Sequence, residues 1–240
     1  MPADHPTPSP AREQLGALTA AGALSLPLDL MPLMGRQRPA AVLLLFGVLD
    51  SVLSGHDAAA GAVSRDLDVL LLSRASTLRE HPGQVAFPGG RIDPEDAGPV
   101  AAALREAREE TGLDPDGVDV LGTLPPLPLV YSRHLVTPVL GWWRHPTPVR
   151  VVDEAESADV FRAPVANLLD PANRGVTVIH RDGQVWRGPG FLVHGAAGEH
   201  LVWGFTGMLL EGLFDRLGWT EPWDRSRELP LPAIEDDSGR

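Results

Sequence analysis

The sequence predicts an α/β (α+β) fold in which helices cover both faces of a mixed β-sheet. Three observations support this prediction. Short runs rich in leucine and β-branched residues suit buried strands, and two longer segments combine helical spacing with helix start and end signals. No repeat or break in composition divides the 240 residues, so we expect one large domain rather than two small ones.

The predicted strands are short apolar runs bounded by turn-forming residues. The first two, "PAAVLLLFGVL" (39–49) and "DVLLLSRA" (68–75), could pair as neighbours, with "SGHDAAAGAVSRD" (54–66) as the linker between them. The others are "GVDVLGTL" (117–124), "LVTPVLGWW" (135–143), "VTVIHRD" (176–182) and "VWRGPGFLVHG" (185–195). Between the last two, "RDGQ" (181–184) is typical of a hairpin turn.

Two segments are predicted helices. "GPVAAALREAREETG" (98–112) has proline just inside its start and Gly112 just past its end, which is the expected asymmetry of helix punctuation. "TGMLLEGLFDRLG" (206–218) has Thr206 as a candidate N-cap and an apolar stripe, and it ends at Gly218. The stripe consists of Leu209, Leu210, Leu213 and Phe214.

Three segments are expected along the chain: a partly loose N-terminal extension with a possible helix (1–35), the main domain (36–222) and an acidic C-terminal tail (223–240). The opening "MPADHPTPSP" has no basic region followed by an apolar core, so it is no secretory signal. The best apolar run, "PAAVLLLFGVLDSVL" (39–53), contains Asp50 and is shorter than the roughly 20 residues that a membrane helix needs. The sequence therefore predicts a cytoplasmic protein without a membrane partner.

Composition excludes several classes of function. Twenty basic and 32 acidic residues give a formal charge of −12, which argues against binding of nucleic acid or anionic lipid through a broad basic surface. An anionic substrate would need local help, such as a metal ion. The chain contains no cysteine, so disulfides, thiolate catalysis and thiolate zinc sites are excluded.

The first predicted helix carries Glu106, Glu109 and Glu110 on one side, next to its buried stripe. Carboxylates three or four positions apart repel by roughly 3 kcal/mol at an effective dielectric near 20. A solvated, salt-bridged helix is one explanation, since Arg105 can pair with Glu109 four positions on. That pairing leaves two glutamates without a cation from this helix. A divalent ion such as Mg²⁺ resolves the conflict, and the Gly89-Gly90 pair could bring a backbone carbonyl to it.

The sequence motifs in this region resemble those of a known family. Gly90, an acidic cluster and "REAREETGL" (105–113) look like the box of the Nudix hydrolases. Upstream, "LLLSRASTLREHPGQVAFPGG" (70–90) resembles the signature of the coenzyme A pyrophosphatase branch of that superfamily. Leu72 stands where the signature has threonine. The box spacing places Ala97 at the upstream glutamate, so Asp96 is assigned to that role, with Asp93 and Glu95 as rivals.

The resemblance implies an α/β/α sandwich with a loop-helix-loop site for Mg²⁺ or Mn²⁺. The implied metal ligands are Glu106, Glu109, Glu110 and the Gly89 carbonyl. Glu106 is either a ligand or the base that orients the attacking water, and Glu154 or Glu156 could instead supply the base from a loop. Arg105 is grouped with Glu106 and Glu109 as catalytic, because it would orient the carboxylates through Glu109.

Arg74, Arg79 and Gly90 are the predicted substrate contacts, the two arginines as bidentate partners of phosphate. The implied reaction is hydrolysis of coenzyme A or acyl-coenzyme A to adenosine 3′,5′-bisphosphate and (acyl-)4′-phosphopantetheine. Other diphosphates (NADH, ADP-ribose, dinucleoside polyphosphates) and a catalytically silent nucleotide-binding role are the alternatives. The sequence allows either a monomer or a homodimer.

Several aromatic and histidine side chains are further candidate substrate contacts. His81 and His134 could approach the substrate, although a lone histidine is more often an ordinary hydrogen-bonded residue. Trp142, Trp143 and Trp203 could stack on an adenine, but aromatic residues in strands usually belong to the core. Phe87 is expected to pack inside.

Overall fold

A computed structural model of the protein describes residues 9–21, 37–48, 53–77, 82–129, 133–181, 183–195 and 198–232. The helices are α1 (Pro10–Ala21), α2 (Pro99–Thr111), α3 (Val165–Leu169) and α4 (Gly204–Leu217), with short 3₁₀ turns at Pro115–Gly117 and Pro171–Asn173. The strands are β1 (Arg38–Val48), β2 (Leu67–Arg74), β3 (Val85–Ala86), β4 (Gly89–Arg91), β5 (Val118–Thr123), β6 (Leu127–Leu129), β7 (His134–Trp143), β8 (Ser157–Pro164), β9 (Arg174–Arg181), β10 (Gln184–Gly195) and β11 (Gly198–Val202).

The main sheet has eight strands in the order β3-β2-β1-β7-β5, with β4 paired to β1, β6 to β7 and β8 to β2. The sheet is mixed because β1 and β7 run parallel while the other pairs are antiparallel. A second sheet of three antiparallel strands has the order β11-β10-β9.

Alternation along β1 defines the layers, because successive side chains of a strand point to opposite faces. Leu43 and Leu45 join the cluster that contains Ala103 of α2. Leu44 and Phe46 join the other cluster, with buried residues of α1, α3 and α4. Helices therefore cover both faces of the sheet, and the predicted α/β/α sandwich is confirmed.

The predicted elements agree with the structure in most places. All six predicted strands are present, and β1 pairs with β2, Phe46 lying opposite Val69. The "RDGQ" hairpin is also confirmed, since Arg181 lies opposite Gln184. The N-cap prediction for α4 is wrong: the helix starts at Gly204 after Trp203, and Thr206 is buried inside the first turn.

Both ends of the described chain contact the domain. In α1, Leu15 and Leu18 are buried, and Gln14 Oε1 accepts a hydrogen bond of 2.6 Å from the indole N–H of Trp219. Near the other end, the Leu229 N–H donates to the Val176 carbonyl, and the Leu229 side chain is buried. The segment boundaries at residues 35 and 222 stay predictions.

Across the part of the chain that the structure describes, no helix combines the length and the apolar character that crossing a membrane requires. The cytoplasmic location and the absence of membrane and nucleic-acid partners stay predictions from the sequence.

Candidate active site

The Gly89-Gly90 pair of β4 lies directly against α2. The Gly89 N–H donates a 2.9 Å hydrogen bond to Glu110 Oε2. At Gly90, a Cβ atom would lie 2.4 Å from Glu106 Oε1, so only glycine leaves room for that carboxylate. At Gly89, φ is +159° and a Cβ atom would lie 2.3 Å from the Ala41 carbonyl oxygen of β1. Both glycines are therefore required by close approach, one to a side chain and one to backbone.

The residues at the two ends of α2 fix where its glutamates lie. Pro99 occupies the first turn of α2, and Gly112 ends the helix with φ of 70° and a hydrogen bond to the Arg108 carbonyl. The buried stripe of Ala102, Ala103, Ala107 and Thr111 holds the helix on the sheet. Glu106 and Glu110 are half-buried beside this stripe, as predicted, but the Glu109 side chain is 59% exposed.

Arg105 organises the carboxylates. Its Nε–H and Nη2–H groups donate to the two oxygens of Asp96, at 3.1 and 3.0 Å. Its Nη1–H group donates to Glu106 Oε1 at 3.1 Å and to Glu109 Oε2 at 3.0 Å. The predicted pairing with Glu109 is thus present. The expectation that Glu106 lacks a cation from this helix is wrong, because the long guanidinium reaches the adjacent carboxylate as well.

The geometry distinguishes the three candidates for the upstream acid. Asp96 is paired bidentately with Arg105 and also accepts a hydrogen bond from the Asp93 N–H. The Arg105 guanidinium holds the pKa of Asp96 below its usual range. Asp93 lies 3.5 Å from Arg105 with a 56% exposed side chain, and Glu95 is exposed. Asp96 is therefore the residue built into the cluster.

Burial perturbs two of the glutamates. Burial raises the pKa of Glu110 to about 7; the Gly89 N–H and the charge of Arg74 oppose that rise, whereas Glu106 and Glu156 add to it. Burial also raises the pKa of Glu106, against the effect of Arg105. Two half-buried acids one helical turn apart are costly to ionise unless a cation lies between them.

The residues present fit a hard divalent cation. Carboxylate oxygens of Glu106 and Glu110 beside a glycine backbone are the donor type that Mg²⁺ and Mn²⁺ prefer. Within the described residues, no three His, Asp or Glu side chains are already arranged to hold a metal. Glu109 is turned toward Arg105. Completing the predicted ligand set requires this side chain to change rotamer, which its exposure permits.

Arg74 lies at the end of β2, beside a register irregularity in the β2-β8 pairing. Its positive charge lies near enough to lower the pKa of Glu110, and its buried Nε has no hydrogen-bond partner. Of the loop candidates for the base, Glu156 is near enough to raise the pKa of Glu110, and its carbonyl accepts from the Ala75 N–H. Glu154 is exposed. The predicted substrate contact Arg79, like His81, lies outside the described residues.

The aromatic candidates are mostly structural. Trp142 and Trp143 are buried in the two core clusters, and Phe87 is buried as expected. Trp203 is partly buried and immediately precedes α4. His134 begins β7 opposite Leu129.

Three arginines near the site were missed by sequence reasoning: Arg38, Arg91 and Arg133 line one cavity beside β4. Arg91 could have been noticed, since it directly follows Gly90. Arg38 and Arg133 are distant in sequence and meet only because β1 and β7 run parallel.

Residues 55–182 match the sequence model of the NUDIX domain. The chain belongs to the Nudix family. The resemblance inferred from "REAREETGL" is confirmed at the level of this superfamily. As a Nudix hydrolase, the chain cleaves phosphorus-containing anhydrides, and enzymes of this family generally use divalent metal ions and act on small-molecule nucleotide derivatives.

Similar proteins carry the same family name. An uncharacterized Nudix hydrolase, NudL, of Cronobacter sakazakii (strain ATCC BAA-894) is 42% identical over 153 residues, which cover 62% of this chain and 75% of the relative. NudL of Escherichia coli (strain K12) is 39% identical over 153 residues, with the same coverage. A MutT/nudix family protein from Enterococcus faecalis superposes with a TM-score of 0.46 at 17% identity, covering 78% of this chain and 64% of that chain.

Proposed function

We propose that this Nudix hydrolase cleaves the diphosphate of coenzyme A or acyl-coenzyme A, with Mg²⁺ or Mn²⁺, to adenosine 3′,5′-bisphosphate and (acyl-)4′-phosphopantetheine. One observation carries the proposal. The stretch 70–90, which resembles the coenzyme A pyrophosphatase signature, ends in the two glycines that contact Glu106 and Glu110. These contacts support a single site that includes the acidic helix and the end of the signature stretch.

The metal ion would be held by Glu106, Glu109, Glu110 and the Gly89 carbonyl. When bound, it supplies charge neutralisation on the phosphoryl oxygens and a water of lowered pKa. The chain's own contribution is positioning. Arg105 fixes the Glu106 carboxylate, and Asp96 in turn fixes the Arg105 guanidinium through two parallel hydrogen bonds.

Arg74 and Arg79 would clasp the diphosphate oxygens. For Arg74, the support is a buried Nε without a hydrogen-bond partner, together with a positive charge near enough to lower the pKa of Glu110. A phosphate oxygen would satisfy this donor, whose isolation otherwise costs about 1–3 kcal/mol. In place of its ligand role, Glu106 is the first candidate for the base that orients the attacking water, and the effect of Glu156 on the pKa of Glu110 favours Glu156 over Glu154 as the alternative.

The test is turnover of purified protein with Mg²⁺ or Mn²⁺ on coenzyme A, acetyl-coenzyme A, NADH, ADP-ribose and a diadenosine polyphosphate, with product identification. We expect the highest kcat/KM on coenzyme A or its acyl derivative. Absence of coenzyme A turnover, with activity on another diphosphate, would reject the substrate assignment. Absence of any turnover would favour a silent nucleotide-binding protein.

The metal assignment is tested with Glu109→Gln and Glu110→Gln, which keep side-chain size and remove the negative charge. Each variant should lose at least about 100-fold in kcat, the loss expected when an electrostatic catalytic group is removed. Glu199→Gln is the matched control, because Glu199 is an exposed residue of β11 in the other sheet. Unchanged turnover in both site variants would remove the proposed metal site.

A further inference from the structure

A cavity of about 530 Å³ lies next to β4, and Arg38, Arg91 and Arg133 line it. Each of the three comes from a different part of the main sheet. Arg38 begins β1, Arg91 ends β4 and Arg133 immediately precedes β7. Arg91 follows Gly90, which contacts Glu106, so this cavity adjoins the candidate active site.

Strand pairing brings the three arginines together. Antiparallel pairing places Arg91 opposite Ala40, two residues after Arg38. Parallel pairing places Arg38 opposite His134, and the Arg38 N–H donates to the Arg133 carbonyl at 2.9 Å. All three side chains therefore start from the same end of β4, β1 and β7, by backbone contacts that mutation of the side chains would leave in place.

The charge at this cavity is unusual for the chain. The protein has a formal charge of −12, yet none of these three guanidiniums forms a salt bridge with another described residue. Arg105 nearby does the opposite and binds Asp96, Glu106 and Glu109. One carboxylate, Asp93, is also on the cavity wall, and it lies 3.5 Å from Arg105.

Backbone strain is a second feature of the same wall. Arg133 has φ of 55°, the only non-glycine residue with positive φ in the described part of the chain. A bulky L-residue in this conformation costs of order 1–3 kcal/mol, and such residues cluster at ligand sites. Glycine or asparagine would adopt this backbone with less strain, so the strained residue marks the same wall of the cavity as a candidate ligand site.

We infer that this cavity is an anion site for a dianionic phosphate monoester carried on the ribose of the substrate. Guanidinium groups suit phosphate because they donate two parallel hydrogen bonds and stay charged. Gly89, next to Glu110, and Arg91 are two residues apart on an extended strand, about 7 Å. A ribose that bears both the diphosphate and a monoester can span this separation. The inference rests on the proposed function and assigns Arg38, Arg91 and Arg133 the selection of 3′-phosphorylated substrates.

The first experiment compares coenzyme A with dephospho-coenzyme A, which lacks only the 3′-phosphate. In the double variant Arg91→Ala/Arg133→Asn, kcat/KM for coenzyme A should fall about 100-fold, because each lost charge-assisted contact costs about tenfold. For dephospho-coenzyme A, kcat/KM should change less than about threefold. Asparagine tolerates the backbone of residue 133. Arg216→Ala, an exposed arginine on α4 across the sheet, should affect neither substrate. An equal loss on both substrates, or no loss on either, would overturn the inference.

A binding measurement separates this inference from the proposed function, because it needs no turnover. By titration calorimetry, adenosine 3′,5′-bisphosphate should bind at least about tenfold more tightly than adenosine 5′-monophosphate, and the double variant should abolish the difference while its melting temperature stays near that of the wild type. Equal affinity of the two nucleotides for the wild type would overturn the inference. Inorganic phosphate binding as tightly as the bisphosphate would assign the cavity to free phosphate, and would also overturn it. Failure of coenzyme A turnover alone rejects only the proposed function.

Discussion

Replacing Gly90 by alanine isolates the contribution of the Glu106 position. The added Cβ would lie 2.4 Å from Glu106 Oε1, whereas ordinary contact begins at 3.4 Å, so the carboxylate must retreat by about 1 Å. The obstacle is the flexible end of a side chain, and the backbone of Gly90 is not in the left-handed region, so the fold should survive. Because a misplacement of this size at a reacting centre can cost about 100-fold, we expect kcat/KM to fall by that factor.

The assay is steady-state diphosphate hydrolysis at saturating Mg²⁺, together with thermal melting. Gly90→Ala should melt within a few degrees of the wild type. Gly89→Ala should instead lose stability, because its Cβ would meet the Ala41 carbonyl at 2.3 Å and no side chain can relieve the clash. Gly188→Ala is the neutral control, since its nearest contact would be at 3.9 Å. Wild-type activity in Gly90→Ala would refute the role of the Glu106 carboxylate.

Three further predictions concern the surroundings of the site. A lysine in Arg105→Lys cannot hold Asp96 through two parallel hydrogen bonds. We therefore expect activity about tenfold lower by steady-state kinetics and a Tm lower by about 4 °C by calorimetry. Unchanged values would contradict the organising role of Arg105. Burial raises the pKa of Asp68 to about 7 from 3.8 in the unfolded chain, so this carboxyl lowers the stability of the fold progressively as the pH rises from about 4 to 7. Asp68→Asn should therefore increase the free energy of unfolding by a few kcal/mol more at pH 8 than at pH 4, as measured by urea unfolding. Equal increases at the two pH values would disprove this cause. Leu229→Ala should cost about 2 kcal/mol or more of unfolding free energy with kcat unchanged at 25 °C, and a neutral effect would place the chain end outside the domain.

Local signals made part of the fold predictable. The helix α2 was bounded correctly because Pro99 suits a first turn and Gly112 supplies the left-handed residue after the last one. The strands β1 and β2 were recognisable because both faces of the sheet are covered, so their apolar runs are nearly continuous. The Arg105 to Glu109 contact also followed from spacing along one helix.

Features that depend on distant parts of the chain were not predictable in the same way. Residues 157–164 were not recognised as a strand, because the polar residues Ser157, Asp159 and Arg162 interrupt its apolar run and β8 is defined by its pairing with β2. Thr206 has the composition of an N-cap, but packing buries it within α4. The Arg38, Arg91 and Arg133 group arises only when β4, β1 and β7 are aligned. Spacing in sequence carries no information about such neighbours.

The proposed chemistry depends on a divalent cation bound between Glu106 and Glu110 beside Gly89. The most direct measurement is an anomalous difference map from crystals soaked in Mn²⁺, with Glu110→Gln crystals treated identically. We expect a strong peak within about 2.5 Å of the Glu106 and Glu110 carboxylates in the wild type and a weakened peak in the variant. An empty map at that position in the wild type, with both carboxylates ordered, would contradict it.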